Sequence, residues 1–329
     1  MVSLATVAPE LVDAILAFLE TRDLCSVTLT SSWMREIAEP HLYRSLNWTW
    51  TPASDQAPHL FLRSILRRPR LAEHVTQLSI TRGEGFYDGG ADSVSAKTVS
   101  LMRNRMQTAE HFDTWIASQQ SSAPELPVIL VLSQLISLRT LHFSTGASTF
   151  SEVQAERRMA ERYNAIKCSK GTSILYPIHL LTANTTPFHA LRSAHICITQ
   201  LAPSTASPSL SHALSILSAP NLHTATFTLR NLDLPRSRPT LWPTPLSSHP
   251  APPATHLTTL HFTACTHLDE PLLAALLPHT PHLRSLIYDN AHPVPSAAAF
   301  DGAVLRAALL RHCAADLAEL RVRVRACEA

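Results

Sequence analysis

Glycine is scarce in this chain, and charged side chains are few. Seven glycines occur among 329 residues, and Asp, Glu, Lys and Arg together make up 16%, against about 25% in typical soluble domains. Four of the glycines, Gly83, Gly85, Gly89 and Gly90, fall within one short segment. Because phosphate-cradling loops need glycine at set spacings, their rarity elsewhere argues against a nucleotide-binding loop.

The six cysteines are too far apart to form a metal-binding or redox motif. They are Cys25, Cys168, Cys197, Cys265, Cys313 and Cys327. Such spacing, without any Cys-x-x-Cys, predicts free thiols in a reducing compartment. The formal net charge of +2 is too small to predict a nucleic-acid surface.

Long apolar runs are missing as well. Apolar runs such as 126–132 are far shorter than the roughly 18 residues that a membrane helix needs. The first residues carry no basic segment, and Glu10 and Asp13 interrupt the apolar stretch there, so no signal peptide is predicted. We expect a soluble protein of the cytoplasm, the nucleus or both, with no membrane partner.

The common catalytic motifs are also absent. The chain has no Gly-x-Ser-x-Gly and no His-Glu-x-x-His, and the Lys-Gly-Thr-Ser at 170–173 lacks the upstream glycine of a phosphate-binding loop. We therefore predict no catalytic residue, no cofactor and no metal. The expected activity is binding, not enzymatic conversion.

A pattern of apolar-x-x-apolar-x-apolar recurs seven times. The copies begin at Val75, Leu138, Leu191, Leu222, Leu257, Leu283 and Leu317. The last two apolar positions alternate as in a strand with one buried face. Helix-like segments lie between several copies, at 209–217, 270–277 and 303–312. Alternating strands and helices with an apolar seam are typical of stacked repeats that bury their seams against each other.

One copy has a more specific resemblance. Residues 257–270, LTTLHFTACTHLDE, resemble the cysteine-containing leucine-rich repeat, with Cys265 at the turn that follows the strand. The resemblance implies an α/β fold, a leucine-rich-repeat solenoid, in which Cys265 is a buried structural thiol. The solenoid is expected to be irregular, because insertions interrupt it near 83–127, 145–187 and, in a proline-rich stretch, 235–253.

The first fifty residues have a different, helical pattern. Pro9 suits the first turn of a helix, where its missing N–H costs nothing, and Glu10 complements the helix dipole there. Residues 11–19 are all apolar except Asp13. A helix that is apolar nearly all round must be covered on more than one side.

Two further helices are expected to follow. Asp23 is a fair N-cap for a helix at 24–29. Ser31 or Ser32 starts a third helix, which is expected to end before Pro40. The three helices together form a short segment ahead of the repeats.

This segment resembles an F-box, the helical module that joins substrate receptors to SCF-type cullin–RING ubiquitin ligases. The matching residues are Pro9-Glu10-Leu11, Ile15, Leu19, Arg22-Asp23-Leu24, Leu29 and Trp33. Residues 41–46 and 61–80 resemble a fungal type of F-box protein with leucine-rich repeats. The resemblance implies an F-box-like segment at 1–45 and a degenerate repeat domain at 46–329.

The resemblance also implies partners. A Skp-type adaptor subunit, and through it a cullin, would bind the N-terminal helices. The implied adaptor-binding residues are Val7, Pro9, Glu10, Leu11, Ile15, Leu19, Leu24 and Trp33. The family's opening Leu-Pro is Val7-Ala8 here, so weaker adaptor binding is expected.

The strand pattern predicts where a target protein would bind. Strand side chains alternate between faces, so residues between the inward apolar ones face outward. These target-binding candidates are His142, Ser144, His195, Thr226, Thr228, His261, Thr263, Ile287, Asp289, Arg321 and Arg323. His142, His195 and His261 share one pattern position, and we interpret them as contacts for a protein rather than as zinc ligands.

The leading hypothesis is a substrate-recognition subunit of an SCF-type ubiquitin ligase, whose target is unidentified. The alternative is a leucine-rich-repeat scaffold outside any ligase, in which the N-terminal helices only cap the solenoid. Binding of the adaptor distinguishes the two hypotheses.

Overall fold

The computed structural model describes residues 7–50, 56–82, 126–145, 188–199, 215–230, 256–265, 270–293 and 302–327. The three predicted insertions lie outside these residues, except for positions 126, 127 and 145. Most of the helix predicted at 209–217 lies outside them too. Its last residues fall in a 3-10 turn, Ser215–Ser218.

After an all-helical start, the described elements are strands, most of which follow a helix or a 3-10 turn. The helices are α1 (Pro9–Leu16), α2 (Thr21–Thr28), α3 (Ser32–Arg44), α4 (Gln56–Arg67), α5 (Arg70–His74), α6 (Leu126–Leu132), α7 (Glu270–Leu276) and α8 (Ala303–His312). The strands are β1 (Ser45–Trp50), β2 (Gln77–Arg82), β3 (Thr140–Thr145), β4 (Ser193–Thr199), β5 (Thr224–Arg230), β6 (Thr259–Cys265), β7 (Ser285–Pro293) and β8 (Glu319–Cys327). A 3-10 turn, Leu277–His279, continues α7.

The eight described strands form one parallel sheet, in which each strand lies beside the next described strand. The predicted pattern also sets the register. Leu141 pairs with Ala194, and Ala194 pairs with Ala225, so equivalent pattern positions lie side by side. The structure thus confirms the α/β class, with a parallel sheet behind N-terminal helices, and it is consistent with a leucine-rich-repeat arrangement.

Strand β1 is one more than the sequence analysis predicts. It fits the same template, since Tyr43, Leu46 and Trp48 have the apolar-x-x-apolar-x-apolar spacing. Trp48 pairs with Ile80 of β2. Its indole is buried edge-on against Phe61 of α4, with ring centroids 5.6 Å apart. The pattern was obscured because Tyr43 belongs to the preceding helix.

One continuous apolar core covers one side of the sheet. It runs from Trp48 of β1 to Cys313, just after α8. The large inward side chains Phe143, Phe227 and Tyr288 are almost completely buried. Phe227 stacks on Phe262 of the next strand, with centroids 5.4 Å apart. Each buried ring removes a large apolar area from water and so stabilises the sheet.

Strand β8 departs from the predicted burial. The pattern places Leu320 and Val322 inward, like their counterparts Leu286 and Tyr288. However, Leu320 is 49% exposed and Val322 is 39% exposed, so the prediction of a buried Leu320 is wrong. The physical reason is position: β8 is the last strand of the sheet, and no described element continues the core beyond it.

The small N-terminal unit has its own core. Val12, Leu16, Leu24 and Ala38 are buried together, apart from the larger core of the sheet. Helices α1, α2 and α3 supply these residues and pack against one another. In addition α3 packs on α5, where Arg68 and Glu39 form an ion pair. The N-terminal unit is therefore anchored to the first end of the sheet.

Two predicted helix ends in this unit differ from the structure. The second helix begins at Thr21, so Asp23 lies in its first turn and is not its N-cap. The third helix passes through Pro40 to Arg44. Its last turn is held because Leu42 packs on the small core and Tyr43 on the large one. The predicted start is confirmed, since the Ser31 hydroxyl accepts a hydrogen bond from the Met34 amide at 3.1 Å.

The described cysteine thiols are free. Cys25 is exposed, Cys197 is half-buried and Cys313 is buried. Cys265 ends β6 opposite Asn290. Its side chain lies outside the described part of the structure, so its predicted burial stays a prediction.

Helix α8 receives its N-terminal cap from another helix. Its bounds, Ala303–His312, match the predicted segment. The buried carboxylate of Glu270, the first residue of α7, accepts hydrogen bonds from the amides of Leu305 at 2.7 Å and Gly302 at 3.2 Å. Free amides at a helix start need such acceptors, so Glu270 fixes α8 against the preceding helix.

Replacing Glu270 by alanine is expected to lower the free energy of unfolding by about 1–3 kcal/mol, since the buried amide of Leu305 and the half-buried amide of Gly302 lose their acceptor. Urea denaturation followed by circular dichroism measures this change. The matched control is Glu36→Ala, at an exposed position of α3, which is expected to cost less than about 0.5 kcal/mol. Equal losses for the two variants would contradict the capping role.

Candidate functional site

Helix α1 turns an apolar surface outward. Leu11 is 59% exposed, Ile15 is 54% exposed and Phe18, just after the helix, is 89% exposed. Their spacing puts the three side chains on one face, which we call the outer α1 surface. On the other face Val12 and Leu16 are 2% exposed and fill the small core. The helix is thus covered on one side only, whereas its nearly uniform apolar sequence predicts cover on more than one side.

The predicted adaptor-binding residues take three kinds of position. Pro9, Glu10, Leu11 and Ile15 are exposed. Val7, Leu19 and Trp33 are half-buried against the small core. Leu24 is buried inside it, so in this structure it supports the helices and offers no outer surface.

Two large exposed apolar side chains of the described N-terminal unit were not among those predictions. Phe18 lies at the end of the apolar run, and Leu29, which follows α2, is 79% exposed. In the sequence, Leu29 matches the F-box pattern but carries no signal of exposure. Phe18 belongs to the apolar run, and that run was the signal available in the sequence. The run did not single out Phe18, because a run that is apolar nearly all round does not reveal which side is covered.

A polar contact holds α1 in its orientation. Asp13, the one polar residue of the apolar run, accepts a hydrogen bond from the His41 imidazole of α3 at 2.7 Å. The His41 side chain is mostly buried while the Asp13 carboxylate is exposed. Asp13 therefore interrupts the apolar run because its carboxylate links α1 to α3.

The second candidate surface is the side of the sheet opposite the core, which we call the open face. Its aligned side chains form three rows across the eight strands. The first row contains Ser45, Gln77, Thr140, Ser193, Thr224, Thr259, Ser285 and Glu319. The middle row contains Asn47, Ser79, His142, His195, Thr226, His261, Ile287 and Arg321. The third row contains Thr49, Thr81, Ser144, Cys197, Thr228, Thr263, Asp289 and Arg323.

Every predicted target-binding residue lies in the middle or third row, and none is fully buried. Nearly all side chains of the three rows are polar, whereas those facing the core are apolar. The rows also include residues of β1 and β2, such as Asn47 and Ser79, which were not predicted. They escaped prediction because β1 was not recognised and β2 was not extended to its outward positions.

Two histidines of the middle row are in contact. The rings of His142 and His195 stack with centroids 4.5 Å apart. The Ser79 hydroxyl lies 3.4 Å from Nδ1 of His142. Burial, and then the neighbouring His142, lower the pKa of His195. The lowered pKa favours the neutral form of His195, whose imidazole can donate one hydrogen bond and accept another.

The third histidine of the row does not join this pair. Thr226 separates His261 from His195 across the sheet. Burial is the main cause that lowers the pKa of His261, and its Nε2 is buried without a hydrogen-bond partner among the described residues. No three His, Cys, Asp or Glu side chains in the described ranges are placed to hold a metal ion.

Charge is unevenly distributed over the open face. At its last two strands, Arg323 lies 3.8 Å from the Asp289 carboxylate and Arg321 lies 3.5 Å from Glu319. The rows of β1 to β6 hold only uncharged polar side chains, histidine and cysteine. Hydroxyl groups there also bond to each other, as between Thr228 and Thr263 at 2.8 Å. Such a surface suits hydrogen bonding to a polypeptide.

No model of a known protein family matches the chain, and no curated protein matches it. None of the helices in the described ranges is both long and apolar enough to cross a membrane. What the chain does must therefore be inferred from the outer α1 surface and the open face.

Proposed function

We propose that this protein is a substrate-recognition subunit of an SCF-type cullin–RING ubiquitin ligase. The outer α1 surface carries the proposal: Leu11, Ile15 and Phe18 are exposed together on a helix whose other face is packed. Exposed apolar clusters on a folded unit mark sites of protein association. In the F-box-like reading, this surface binds the Skp-type adaptor and, through it, the cullin.

The sheet supplies the second half of the proposal. As an irregular leucine-rich-repeat solenoid, it offers the open face to a target protein, with His142, His195 and Thr226 near its centre. The protein itself catalyses nothing. It raises the effective concentration of the target at the ligase, because both proteins are bound to one chain. Such a receptor works in the cytoplasm or the nucleus.

One observation favours a rival function, a scaffold whose helices cap the solenoid. Helix α3 packs on α5 and leads directly into β1, so it does cover the first end of the sheet. This contact uses Glu39 and Tyr43 of α3. It leaves Leu11, Ile15 and Phe18 of the outer α1 surface exposed. Capping therefore accounts for α3 and gives no role to the outer α1 surface.

Co-expression of the full-length chain with a Skp-type adaptor tests the proposal. The adaptor is expected to co-purify through an interface of about 800 Å² per partner, the usual size for a specific complex. Co-expression is preferable to dilute mixing, because Val7-Ala8 replaces the family's Leu-Pro and weakens docking. Absence of the adaptor from the purified chain would support the scaffold instead.

A further inference from the structure

A row of basic side chains borders the open face at the start of the strands. It consists of Arg139, Arg192, His223 and Arg284, with Thr258 between the last two, and we call it the basic row. Backbone hydrogen bonds join its members in order: the Arg192 amide to the Arg139 carbonyl at 2.8 Å, and the His223 amide to the Arg192 carbonyl at 2.8 Å. Each member directly precedes the first row of the open face.

The row continues with the same geometry to β7. The Thr258 amide donates to the His223 carbonyl at 3.0 Å, and the Arg284 amide donates to the Thr258 carbonyl at 2.8 Å. Because neighbouring strands are about 4.8 Å apart, the basic row spans about 19 Å from Arg139 to Arg284. All four basic side chains are exposed.

No acidic residue balances the arginines of this row within the described structure. The described stretches at 126–145, 188–199, 215–230 and 256–265 contain no Asp or Glu at all. Arg139, Arg192 and Arg284 form no ion pair with any described residue. At the β7 end of the row, the carboxylates of Glu319 and Asp316 accept hydrogen bonds from Ser285 and His282. Like charges in one row repel each other, and an acidic ligand relieves that repulsion.

We propose that the basic row binds an extended acidic segment of a target protein, laid across the strands along the edge of the open face. About six residues of extended polypeptide cover the 19 Å of the row, given roughly 3.3 Å per residue. The neighbouring hydroxyl groups of Thr140, Ser193 and Thr224 can bond its backbone. The acidic segment belongs to the target of the proposed ligase receptor, so this inference rests on the proposed function.

A polypeptide fits this surface better than a nucleic acid does. Nucleic-acid grooves combine basic residues with aromatic side chains on which bases stack. None of the three described rows of the open face contains Phe, Tyr or Trp, and the net charge of the chain is only +2. A single file of charges beside a polar surface suits spaced carboxylates in an extended chain.

The test uses the full-length chain and a labelled eight-residue peptide that alternates Glu and Ser. Fluorescence anisotropy at low ionic strength measures its dissociation constant. The row variant is Arg139→Glu with Arg192→Glu. The matched control is Arg306→Glu with Arg311→Glu, which reverses two exposed arginines of α8 away from the open face.

We expect the peptide to bind the wild-type chain and the control variant alike. The row variant should weaken binding by at least about tenfold, the size of effect that reversing two contacted charges produces. A peptide that alternates Lys and Ser should bind the row variant and not the wild type. Added salt should weaken the Glu peptide, because exposed charges are screened.

Three results would overturn the inference. The row variant and the control could bind the Glu peptide equally, or a Gln-Ser peptide could bind the wild type as well as the Glu peptide does. A single-stranded oligonucleotide of the same charge could bind more tightly than the Glu peptide, which would make the row a nucleic-acid surface. Adaptor co-purification, measured on the same proteins, separates the two failures. If the adaptor co-purifies but the peptide does not bind, only the proposal for the basic row is wrong. If the peptide binds but the adaptor does not co-purify, only the ligase assignment is wrong.

Discussion

Replacing Phe227 by alanine is expected to lower the free energy of unfolding by about 3–5 kcal/mol, as deletion of a buried aromatic ring does. Phe227 is completely buried at the middle of the sheet. Its ring stacks on Phe262, and Ile196 lies beside it on β4. Removing the ring leaves a cavity that paired strands on both sides cannot close without breaking their register. Denaturation with urea, followed by far-ultraviolet circular dichroism, measures the loss.

The neighbouring residue of the same strand is the matched control. Thr226 points to the open face, so Thr226→Ala is expected to cost less than about 0.5 kcal/mol. His261→Ala, also on that face, should cost equally little. Similar losses for Phe227→Ala and Thr226→Ala would contradict a sheet with one buried face.

A second pair of variants tests the end of the sheet. Leu286→Ala should cost about 2–5 kcal/mol, as for other buried leucines, including Leu260. Leu320, its partner on β8, is half exposed, so Leu320→Ala should cost clearly less. A cost for Leu320 equal to that for Leu286 would mean that another part of the chain covers β8.

The strands were predictable because their signal is local. Alternation of inward residues such as Phe143 and Ile196 with outward ones fixes both the strand and its buried face over a few residues. The order of the strands followed from the chain order of stacked units. Burial at the end of the sheet was not predictable in this way. Leu320 satisfies the same pattern as Leu286, and only its place in the last strand exposes it.

The candidate sites were likewise predictable only where the signal is local in the sequence. The outward positions of His142 and His195 followed from alternation, and their contact follows from the adjacency of β3 and β4. The basic row was not predicted, although its arginines are visible in the sequence. Arg139, Arg192 and Arg284 are far apart along the chain and become neighbours only through the register of the sheet. Residues next to a strand carry no alternation signal that marks them as part of a surface.

For the outer α1 surface, composition does not determine which residues meet a partner. Residues 11–19 are apolar nearly all round, which predicts a second covering partner without saying which residues meet it. Packing of Val12 and Leu16 into the small core selects the other side. Leu11, Ile15 and Phe18 are then the residues left for a partner.

Replacing Leu11 and Ile15 together by aspartate is expected to abolish co-purification of the adaptor. In the proposed complex both side chains are buried against the adaptor, and each unpaired carboxylate placed there weakens binding by about 2–5 kcal/mol. The same variant should leave the chain folded, because both positions are more than half exposed in the free protein. Pull-down after co-expression measures the first effect, and thermal unfolding of the purified chain measures the second.

The control for this variant is Ala17→Asp. Ala17 is exposed at the end of α1 but lies away from Leu11 and Ile15 around the helix, so the adaptor should still co-purify. Restoring Leu-Pro at Val7 and Ala8 should strengthen binding if docking follows the F-box pattern.

If the aspartate variant instead unfolds the sheet, and the wild-type chain retains no adaptor, α1 is a structural cap. Aspartate at a position without contacts does not unfold a protein. If the Leu11→Asp, Ile15→Asp variant unfolds, the repeats themselves must therefore cover the outer α1 surface.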